Sequence, residues 1–480
     1  MERLTKKLYP PRVTPLPTLI STVTLLTVIT NGMAMTSPFS YLPKMMVYFD
    51  IKEVDIGWHV GMISACMYLA RVPSSLLWGI AADRIGKKYS SIISAVCLAV
   101  TTIAFGFSSN IYYAAAYRCA QGLSSGVMVT MKGVLWEACD DTNQHIGMML
   151  ICATDCLAML VGPSMAGFLV FPRQRWPKIY SRESLFDQHP FLLPNLVIGL
   201  IFIVSVLAMI YIIPKEKKKL VPNKGNFFIE VFYNRHCMLS CVLYMIIGMT
   251  TIGFLELFPV WTETNREYRG LSYTPAKVGT AYLIASGVSL PLEFLLIPKL
   301  CTKFGLKKAL YFTCLVNVFM MPLLPCLEIF EVASILLFIL LCVILTIVNI
   351  MKTTGLTVVN VLVNKSVADQ VISTAQGLAL AFACFGRAVG PWLFGALYSW
   401  SLTNVKSNSK NKDALGFPFN QYFSFYVIAL VFIVCAYLTT FVVHDDIVVR
   451  QQRSRRQIQT EPRWNRRMLH PTSDRSKLLI

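Results

Sequence analysis

The chain has 480 residues, of which 55% are hydrophobic and only 14% are charged. Soluble domains carry about 25% charged residues, so this composition excludes a soluble protein and indicates an integral membrane protein. The net charge of +19 would suit a nucleic-acid-binding protein, but most of the 44 Lys and Arg residues fall on one side of the predicted membrane helices. That asymmetry predicts that both termini are cytosolic, and no nucleic-acid partner is expected.

Twelve apolar stretches are each long enough to cross a bilayer as a helix. They cover 17–40, 57–80, 89–108, 111–137, 145–170, 190–213, 237–261, 277–300, 308–327, 331–362, 371–400 and 420–443. The fold class predicted is an all-α integral membrane protein with two six-helix halves, 17–213 and 237–443. A cytosolic N-terminus (1–16), a cytosolic linker (214–236) and a basic cytosolic tail (444–480) complete the chain.

The 14 cysteines and six histidines do not suggest metal chemistry. Nearly all the cysteines lie in apolar stretches, where they are expected to be small buried hydrophobes. No CxxC pair occurs and no histidine lies in the middle of a span, so no metal site and no cofactor are expected. The spans contain no nucleophile–base pair, which argues against an enzyme, and the absence of a GxxxxGK[ST] loop leaves a gradient as the energy source.

Two motifs repeat at equivalent positions in the two halves. The loop GIAADRIGKK after the second span has an echo at 298–308, which keeps Gly305 and the flanking cations up to Lys308 but lacks the Asp. The fifth span contains LVGPSMAG (160–167) and the eleventh AVGPWLFG (388–395). These repeats indicate a duplicated six-helix unit, which is typical of secondary transporters. The positions of interest in these motifs are Gly79, Asp83, Arg84, Gly86, Lys87, Lys88, Gly162, Pro163, Gly167, Gly390 and Pro391.

The loop GIAADRIGKK resembles the signature loop of the major facilitator superfamily. YRCAQGLSSG (117–126) resembles the fourth-helix motif of its proton-coupled branch, and GPSMAG resembles the Gly-Pro motif of its antiporters, with Ala166 where Gly is usual. Segments 162–196, 256–279 and 386–400, with Lys132 and Glu137, are most similar to the zinc-induced facilitator-like transporters. The resemblance covers about 40–440 and implies the twelve-helix major facilitator fold.

Ionisable residues inside the predicted spans are expensive in a bilayer and are therefore candidates for function. Asp155 lies two turns before Gly162, so it is expected to face the bundle interior, where a nearby Arg118 would allow reversible protonation. A static ion pair and a polar packing role remain alternatives for this residue. The full set within the spans is Arg71, Arg118, Lys132, Asp155, Glu256, Glu293, Lys352 and Arg387.

The family resemblance assigns further roles. It implies that Arg118 and Gln121 line the central cavity and assist proton transfer, and that Glu256 is a candidate for proton or cation coupling. The excess of cations, including Lys132, Lys352 and Arg387, favours an organic anion, a zwitterion or a metal chelate as substrate. Alternatively, these long side chains snorkel or pair with the buried acids.

The charged loop is predicted to connect the two halves on the cytosolic side. Gly79 would allow the eleventh helix to approach, and Asp83 would face that helix's N-terminus near Ser373 and Thr374. Arg84, Lys87 and Lys88 are expected to pair with Glu137 or Asp140. The contacts between the halves should form when the protein opens outward and break when it opens inward. The Gly-Pro motifs are expected to bend the fifth and eleventh helices and to shape the interface between the halves.

The tail ends in an acidic dileucine pattern formed by Asp474, Leu478 and Leu479, which predicts sorting adaptors as partners. Endolysosomal or vacuolar membranes, or the plasma membrane, are the expected locations. The sequence thus predicts a transporter that moves a small solute by alternating access, coupled to protons. A facilitative uniporter and a non-transporting receptor on the same fold are the alternatives.

Overall fold

The computed structural model describes residues 14–140, 143–180, 184–214, 231–327, 334–367, 372–405 and 415–442. Regular structure in these ranges is entirely helical. The dileucine residues and most of the linker and tail lie outside them. Nine of the described segments are long and apolar enough to cross a membrane.

The N-terminal half contains α1 to α10. Their bounds are α1 Thr18–Thr36, α2 Leu42–Tyr48, α3 Ile56–Ile85, α4 Lys87–Gly106, α5 Ile111–Ser124, α6 Val127–Ala138, α7 Gln144–Leu169, α8 Pro172–Arg175, α9 Leu185–Gln188 and α10 Leu192–Ile212. Short 3₁₀ turns at Ser37–Ser40 and Glu53–Asp55 flank α2. The fourth predicted span is thus two helices, α5 and α6.

The described residues of the C-terminal half form five α-helices. They are α11 Arg235–Glu263, α12 Pro275–Cys326, α13 Ser334–Lys365, α14 Ile372–Leu402 and α15 Phe423–Thr440. The eighth and ninth predicted spans both lie in α12, which is interrupted only at Gly305, where φ is 77°. The helix bounds follow the predicted spans closely, and the total of twelve crossings stays a prediction.

The interruption between α5 and α6 is stabilised by a serine from α4. The Ser94 hydroxyl donates to the carbonyl of Ser124 at 2.6 Å and accepts from the N–H of Gly126 at 2.9 Å. A Cβ at Gly126 would lie 2.3 Å from the Trp78 ring, so only glycine fits there. The sequence did not reveal this break because both sides of it are equally apolar.

The charged loop and its echo form equivalent turns in the two halves. Gly86 and Gly305 both have positive φ, 96° and 77°, which glycine adopts without strain. Lys88 then donates to the carbonyls of Ile210 and Ile213, at the end of α10. Lys307 donates to the carbonyls of Thr440 and Val442, at the end of α15.

Each lysine therefore stabilises the C-terminus of the last helix in its own half. The residue equivalent to Lys88 is Lys307 and not Lys308, because both follow their glycine by two positions. The expected pairing of Lys88 with Glu137 or Asp140 is therefore wrong. Lys87 makes that contact instead, with its Nζ 2.5 Å from Glu137 Oε1.

The two halves pack tightly at one end of the bundle. The N-terminal residues 14–17 lie at the opposite end, which is called the termini side here. The tightly packed end is called the far side. A Cβ added to Gly61 on α3 would lie 2.3 Å from the carbonyl oxygen of Pro391 on α14, and one added to Gly395 would lie 2.2 Å from that of Gly57. On the other flank, a Cβ at Gly167 of α7 would lie 2.4 Å from the carbonyl oxygen of Pro275. Glycines thus permit backbone contact between the halves at the far side.

Polar and aromatic contacts reinforce this closure. The backbone N–H of Trp58 donates to Ser399 Oγ at 2.8 Å, and the rings of Trp58 and Trp392 lie 5.6 Å apart. The carboxylate of Glu53 accepts from the backbone N–H of Asn265 at 2.6 Å and also from its side-chain amide. The larger hydrophobic core, which includes Phe254 in the C-terminal half, extends into Phe39 and Ile63 of the N-terminal half.

Two glycines towards the termini side have free space beside them among the described residues. No described atom lies within 4 Å of a Cβ added to Gly79 on α3 or Gly377 on α14. The expected close approach of the eleventh helix to Gly79 is therefore not seen among the described residues. Arg84 is exposed. The side chains of Asp83, Ser373 and Thr374 lie outside the described set, so their predicted contact stays a prediction.

Candidate functional site

One face of α3 connects the far-side closure to a buried polar site. Gly57, Gly61, Ser64, Tyr68 and Arg71 follow one another at intervals of four and three residues, which places them on one side of a helix. The two glycines pack against α14, and the next three side chains extend towards the middle of the bundle. Ser64, Tyr68 and Arg71 are all buried.

Arg118 on α5 is completely buried and rigidly held. It donates to Gln121 Oε1 at 3.0 Å and to the carbonyl of Met35 on α1 at 3.1 Å. Its guanidinium carbon lies 5.6 Å from the centre of the Phe105 ring. The structure thus brings Arg118 and Gln121 together and fixes the guanidinium between α1 and α4.

Glu256 on α11 is the acid that acts on this arginine electrostatically from the other half. It is 3% exposed, and neither carboxylate oxygen has a hydrogen-bond partner among the described residues. Ser64 and Arg118 are the polar side chains that act on the carboxylate. A buried carboxylate without a direct partner is costly when ionised, so it is suited to bind a proton.

Tyr68 lies at the centre of this site. The charged groups that influence its phenol are Arg387, Glu256, Arg118 and Arg71, two from each half. The sequence analysis missed Tyr68 and Ser64 because an isolated aromatic or serine in an apolar span resembles ordinary packing. Their spacing from Arg71 is the signal that was available.

Asp155 is one of the residues at the contact between α7 and α1. It is half-buried on α7 beside Gly32 of α1, and it acts on Arg387 of α14. The carboxylate that acts most strongly on Arg118 is Glu256. Glu256 and Asp155 therefore each act electrostatically on an arginine of the opposite half, and the expected interaction of Asp155 with Arg118 stays a prediction.

The remaining intramembrane charges differ in their surroundings. Lys352 on α13 is buried, with its Nζ 5.1 Å from the centre of the Phe254 ring, and it acts on Glu293 of α12. The alternative that long cations pair with buried acids stays a prediction. Lys132 is half-buried on α6, beyond the helix break from Arg118.

The Gly-Pro motifs contact both their own half and the other. A Cβ at Gly162 would lie 3.0 Å from Met33 Cα of α1, and one at Gly390 would lie 2.2 Å from the carbonyl oxygen of Met249 on α11. These two glycines thus pack within their own halves, at equivalent places. Gly167 and Pro391 make the contacts between halves, so only part of each motif shapes that interface.

Two buried amides add polar groups that the sequence analysis did not single out. Asn31 on α1 and Asn349 on α13 are 1% and 2% exposed, and no side-chain amide atom of either has a hydrogen-bond partner among the described residues. Within the same part of the chain, no group of three His, Cys, Asp or Glu residues is arranged to hold a metal ion.

Two packed helical halves with buried charged residues between them are the architecture of a membrane transporter. Residues 24–391 match the Major Facilitator Superfamily. The chain belongs to this family. It is a multi-pass membrane protein of a transporter family and not an enzyme.

Relatives support the same conclusion. The zinc induced facilitator-like 1 protein of Arabidopsis thaliana is 26% identical over 78% of this chain and 82% of its own length. The multidrug transporter mfsB of Aspergillus fumigatus is 30% identical over 38% of this chain and 30% of its own.

Solved structures share the fold. A bacterial homologue of the human lysosomal transporter Spinster, in an inward-facing and unoccupied conformation, superposes with a TM-score of 0.66 at 11% identity, covering 91% of this chain and 99% of that one. The nucleoside transporter NupG gives 0.64 at 15% identity, covering 89% and 99%.

Proposed function

We propose that this protein is a proton-coupled secondary transporter of a small organic anion or zwitterion, and that Glu256 carries the proton. The carrying observation is that the buried acid Glu256 and the buried Arg118, which belong to different halves, act on each other electrostatically. The acid is buried without a hydrogen-bond partner among the described residues, whereas the arginine is held by Gln121 and Met35. A carboxylate that faces a fixed cation at the interface responds to both protonation and domain movement.

The surplus of cations supports the choice of substrate. Arg71, Arg118 and Arg387 act on the single Tyr68 phenol, together with one acid, Glu256. When Glu256 is protonated, the site carries a larger positive charge and attracts an anionic group. The two buried amides of Asn31 and Asn349 supply further donors and acceptors for a polar solute. A metal chelate is the second candidate, because its organic acid groups would meet the same cations.

Alternating access follows from the asymmetry between the two ends. The tight glycine contacts close the far side, and Gly79 and Gly377 have free space at the termini side. Closing the termini side and opening the far side would expose the same central site to the opposite compartment. In this proposal the termini side is cytosolic, which agrees with the distribution of Lys and Arg.

The test is flux into proteoliposomes under an imposed pH gradient, with organic anions, zwitterions, zinc chelates, free zinc, potassium and amine drugs as probes. For the wild-type protein, the gradient is expected to drive an organic anion or zwitterion. In Glu256→Gln, transport down a concentration gradient should persist, but the pH gradient should no longer affect it. Glu267→Gln is the matched control, because Glu267 is exposed on a far-side loop.

Each alternative has a distinct outcome in this assay. A facilitative uniporter would move solute with no response to pH in any variant. A receptor would bind a probe without flux. If Glu256→Gln kept a wild-type pH response while Asp155→Asn lost it, the coupling acid would be Asp155.

The proposed location is an endolysosomal or vacuolar membrane, with sorting adaptors reading the dileucine pattern. This proposal rests on Asp474, Leu478 and Leu479 in the sequence. Replacing both leucines by alanine should move a fluorescently tagged full-length chain to the plasma membrane. An unchanged distribution would contradict the sorting role.

A further inference from the structure

The stretch just before α1 is hydrogen-bonded to the connection between α6 and α7. The Thr14 hydroxyl donates to Asp140 Oδ2, which lies 126 residues later in the chain. Asn143 Nδ2 lies 3.1 Å from Thr14 Oγ1, 3.3 Å from the Thr14 carbonyl oxygen and 3.4 Å from that of Pro15, so it is the donor on the other side of the threonine. The transport mechanism proposed above makes no use of these contacts.

Asn143 also organises the connection itself. It is 2% exposed, and its Oδ1 accepts from the backbone N–H of Asp140 at 2.8 Å. Its own N–H donates to the Asp140 carbonyl at 3.0 Å, and α7 begins at the next residue, Gln144. One asparagine side chain therefore links Thr14 to the turn that starts α7.

Thr14 is at the surface although it is tied to this turn. Thr14, Pro15 and Asp140 are exposed, whereas Leu16 is 8% exposed. Packing of Leu16 and the hydrogen bonds to Thr14 thus hold the stretch in place, while the threonine itself can be reached from solvent on the termini side.

The sequence around Thr14 suits a protein kinase that requires proline after the acceptor. Three Ser or Thr residues precede a proline in this chain, Thr14, Ser37 and Thr274. Ser37 is completely buried, and Thr274 lies at the start of α12 on the far side, where its Oγ1 accepts from the N–H of Lys277. Thr14 is the one that is exposed on the termini side and precedes no helix directly. Pro15 disfavours helical backbone at Thr14, which leaves the extended form that a kinase can bind.

We propose that Thr14 is a phosphorylation site for a proline-directed Ser/Thr kinase, and that phosphorylation releases residues 14–17 from the α6–α7 connection. Thr14 Oγ1 attacks the γ-phosphorus of ATP, and the bond from that phosphorus to the β–γ bridging oxygen breaks. ADP leaves, and the hydroxyl proton passes to the catalytic carboxylate of the kinase. The site is additional to the proposed transport function, and it rests on the proposed cytosolic orientation of the termini side, where ATP is available.

The release follows from the charge and hydrogen bonding of the product. Phosphothreonine has no hydroxyl to donate to Asp140, and it carries a charge of about −1.5 to −2 beside that carboxylate. The charge-assisted hydrogen bond is thereby replaced by repulsion between like charges. Asn143 then loses the threonine that its side chain contacts, and the turn before α7 becomes less constrained.

The first test is phosphorylation of the purified full-length protein in detergent by a proline-directed kinase and ATP, with the modified residue identified by mass spectrometry. Thr14 should carry the phosphate. Pro15→Ala should lose most of it, because the acceptor remains and the proline does not. Pro17→Ala is the matched control from the same stretch and should be modified like the wild type. An unmodified Thr14, or equal modification of Pro15→Ala, would overturn the assignment.

The second test measures release by amide hydrogen exchange of the peptide that contains Asp140 and Asn143. Exchange should be faster in the phosphorylated protein and in Thr14→Glu than in the unmodified wild type. Thr14→Ser keeps the hydroxyl and should exchange at the wild-type rate. Thr18→Glu places the same charge at an exposed position one turn later and should also leave the rate unchanged. A wild-type rate in both the phosphorylated protein and Thr14→Glu would refute the release.

The third test concerns the side of the membrane. Full-length protein isolated from eukaryotic cells in the presence of phosphatase inhibitors should carry phosphate at Thr14 and none at Thr274. Phosphate at Thr274 without phosphate at Thr14 would mean that the far side is cytosolic, and the inference would be wrong. None of the three readouts involves solute flux, so their failure is distinct from a failure of proton coupling.

Discussion

At the scale of single residues, the central site depends on how Arg118 is held. Its guanidinium spans two different acceptors, a side-chain amide and a backbone carbonyl, and also lies over an aromatic ring. A lysine has one compact ammonium and cannot keep this planar, multiply bonded geometry. The orientation of the positive charge towards Glu256 thus depends on arginine specifically.

Arg118→Lys should consequently abolish flux driven by a pH gradient, even though the charge is retained. The exposed Arg235→Lys is the matched control and should transport normally. Proteoliposome flux checks both, with thermal unfolding to confirm that each variant is folded. Normal gradient-driven flux in Arg118→Lys would show that charge alone is sufficient.

At the scale of elements, a lysine that follows a glycine turn binds the C-terminus of the last helix in each half. Lys88 binds the end of α10, and Lys307 binds the end of α15. The charged loop is therefore more than a determinant of topology, because its second lysine satisfies carbonyls that a helix end leaves without partners. Lys307 is half-buried, whereas its neighbour Lys308 is exposed.

Lys307→Met should destabilise the protein by about 1 kcal/mol, since it removes a cation from a helix C-terminus. Lys308→Met should have almost no effect, because Lys308 is exposed. The midpoint of thermal unfolding in detergent distinguishes the two variants. Equal midpoints would mean that the capping contacts add nothing to stability.

The positions of the helices could be predicted from the sequence. The partners of the buried charges could not, for a physical reason. Apolar length specified the helices and the division into halves. The partner of each buried charge depends on the rotation of every helix about its axis, and a few tens of degrees decide whether Arg118 faces Asp155 or Glu256. The packing of Gly79 is a different case, because it depends on the conformation adopted.

At the scale of the whole molecule, the space beside the glycines at the two ends of α3 differs between the two sides of the protein. A side chain at Gly61 has no room, whereas one at Gly79 meets open space. Gly61→Leu should therefore prevent closure of the far side and favour the opposite conformation. Gly79→Leu, on the same helix, should leave far-side closure intact.

Amide hydrogen exchange of the peptide containing Trp58 measures this difference, because the N–H of Trp58 donates to Ser399 only when the far side is closed. Exchange should rise in Gly61→Leu and stay at the wild-type level in Gly79→Leu. A wild-type rate in Gly61→Leu would show that the helices can close over a leucine.

The lysine contacts at the ends of α10 and α15 also bear on how the chain is assembled. Each contact joins two elements of the same half, so neither half needs the other to cap its own last helix. Residues 1–214 and 231–480, produced as two separate polypeptides, carry all of these contacts between them. The glycine surfaces at the far side would then let the two fragments recognise each other in the membrane, which makes the protein a natural candidate for expression as a split pair.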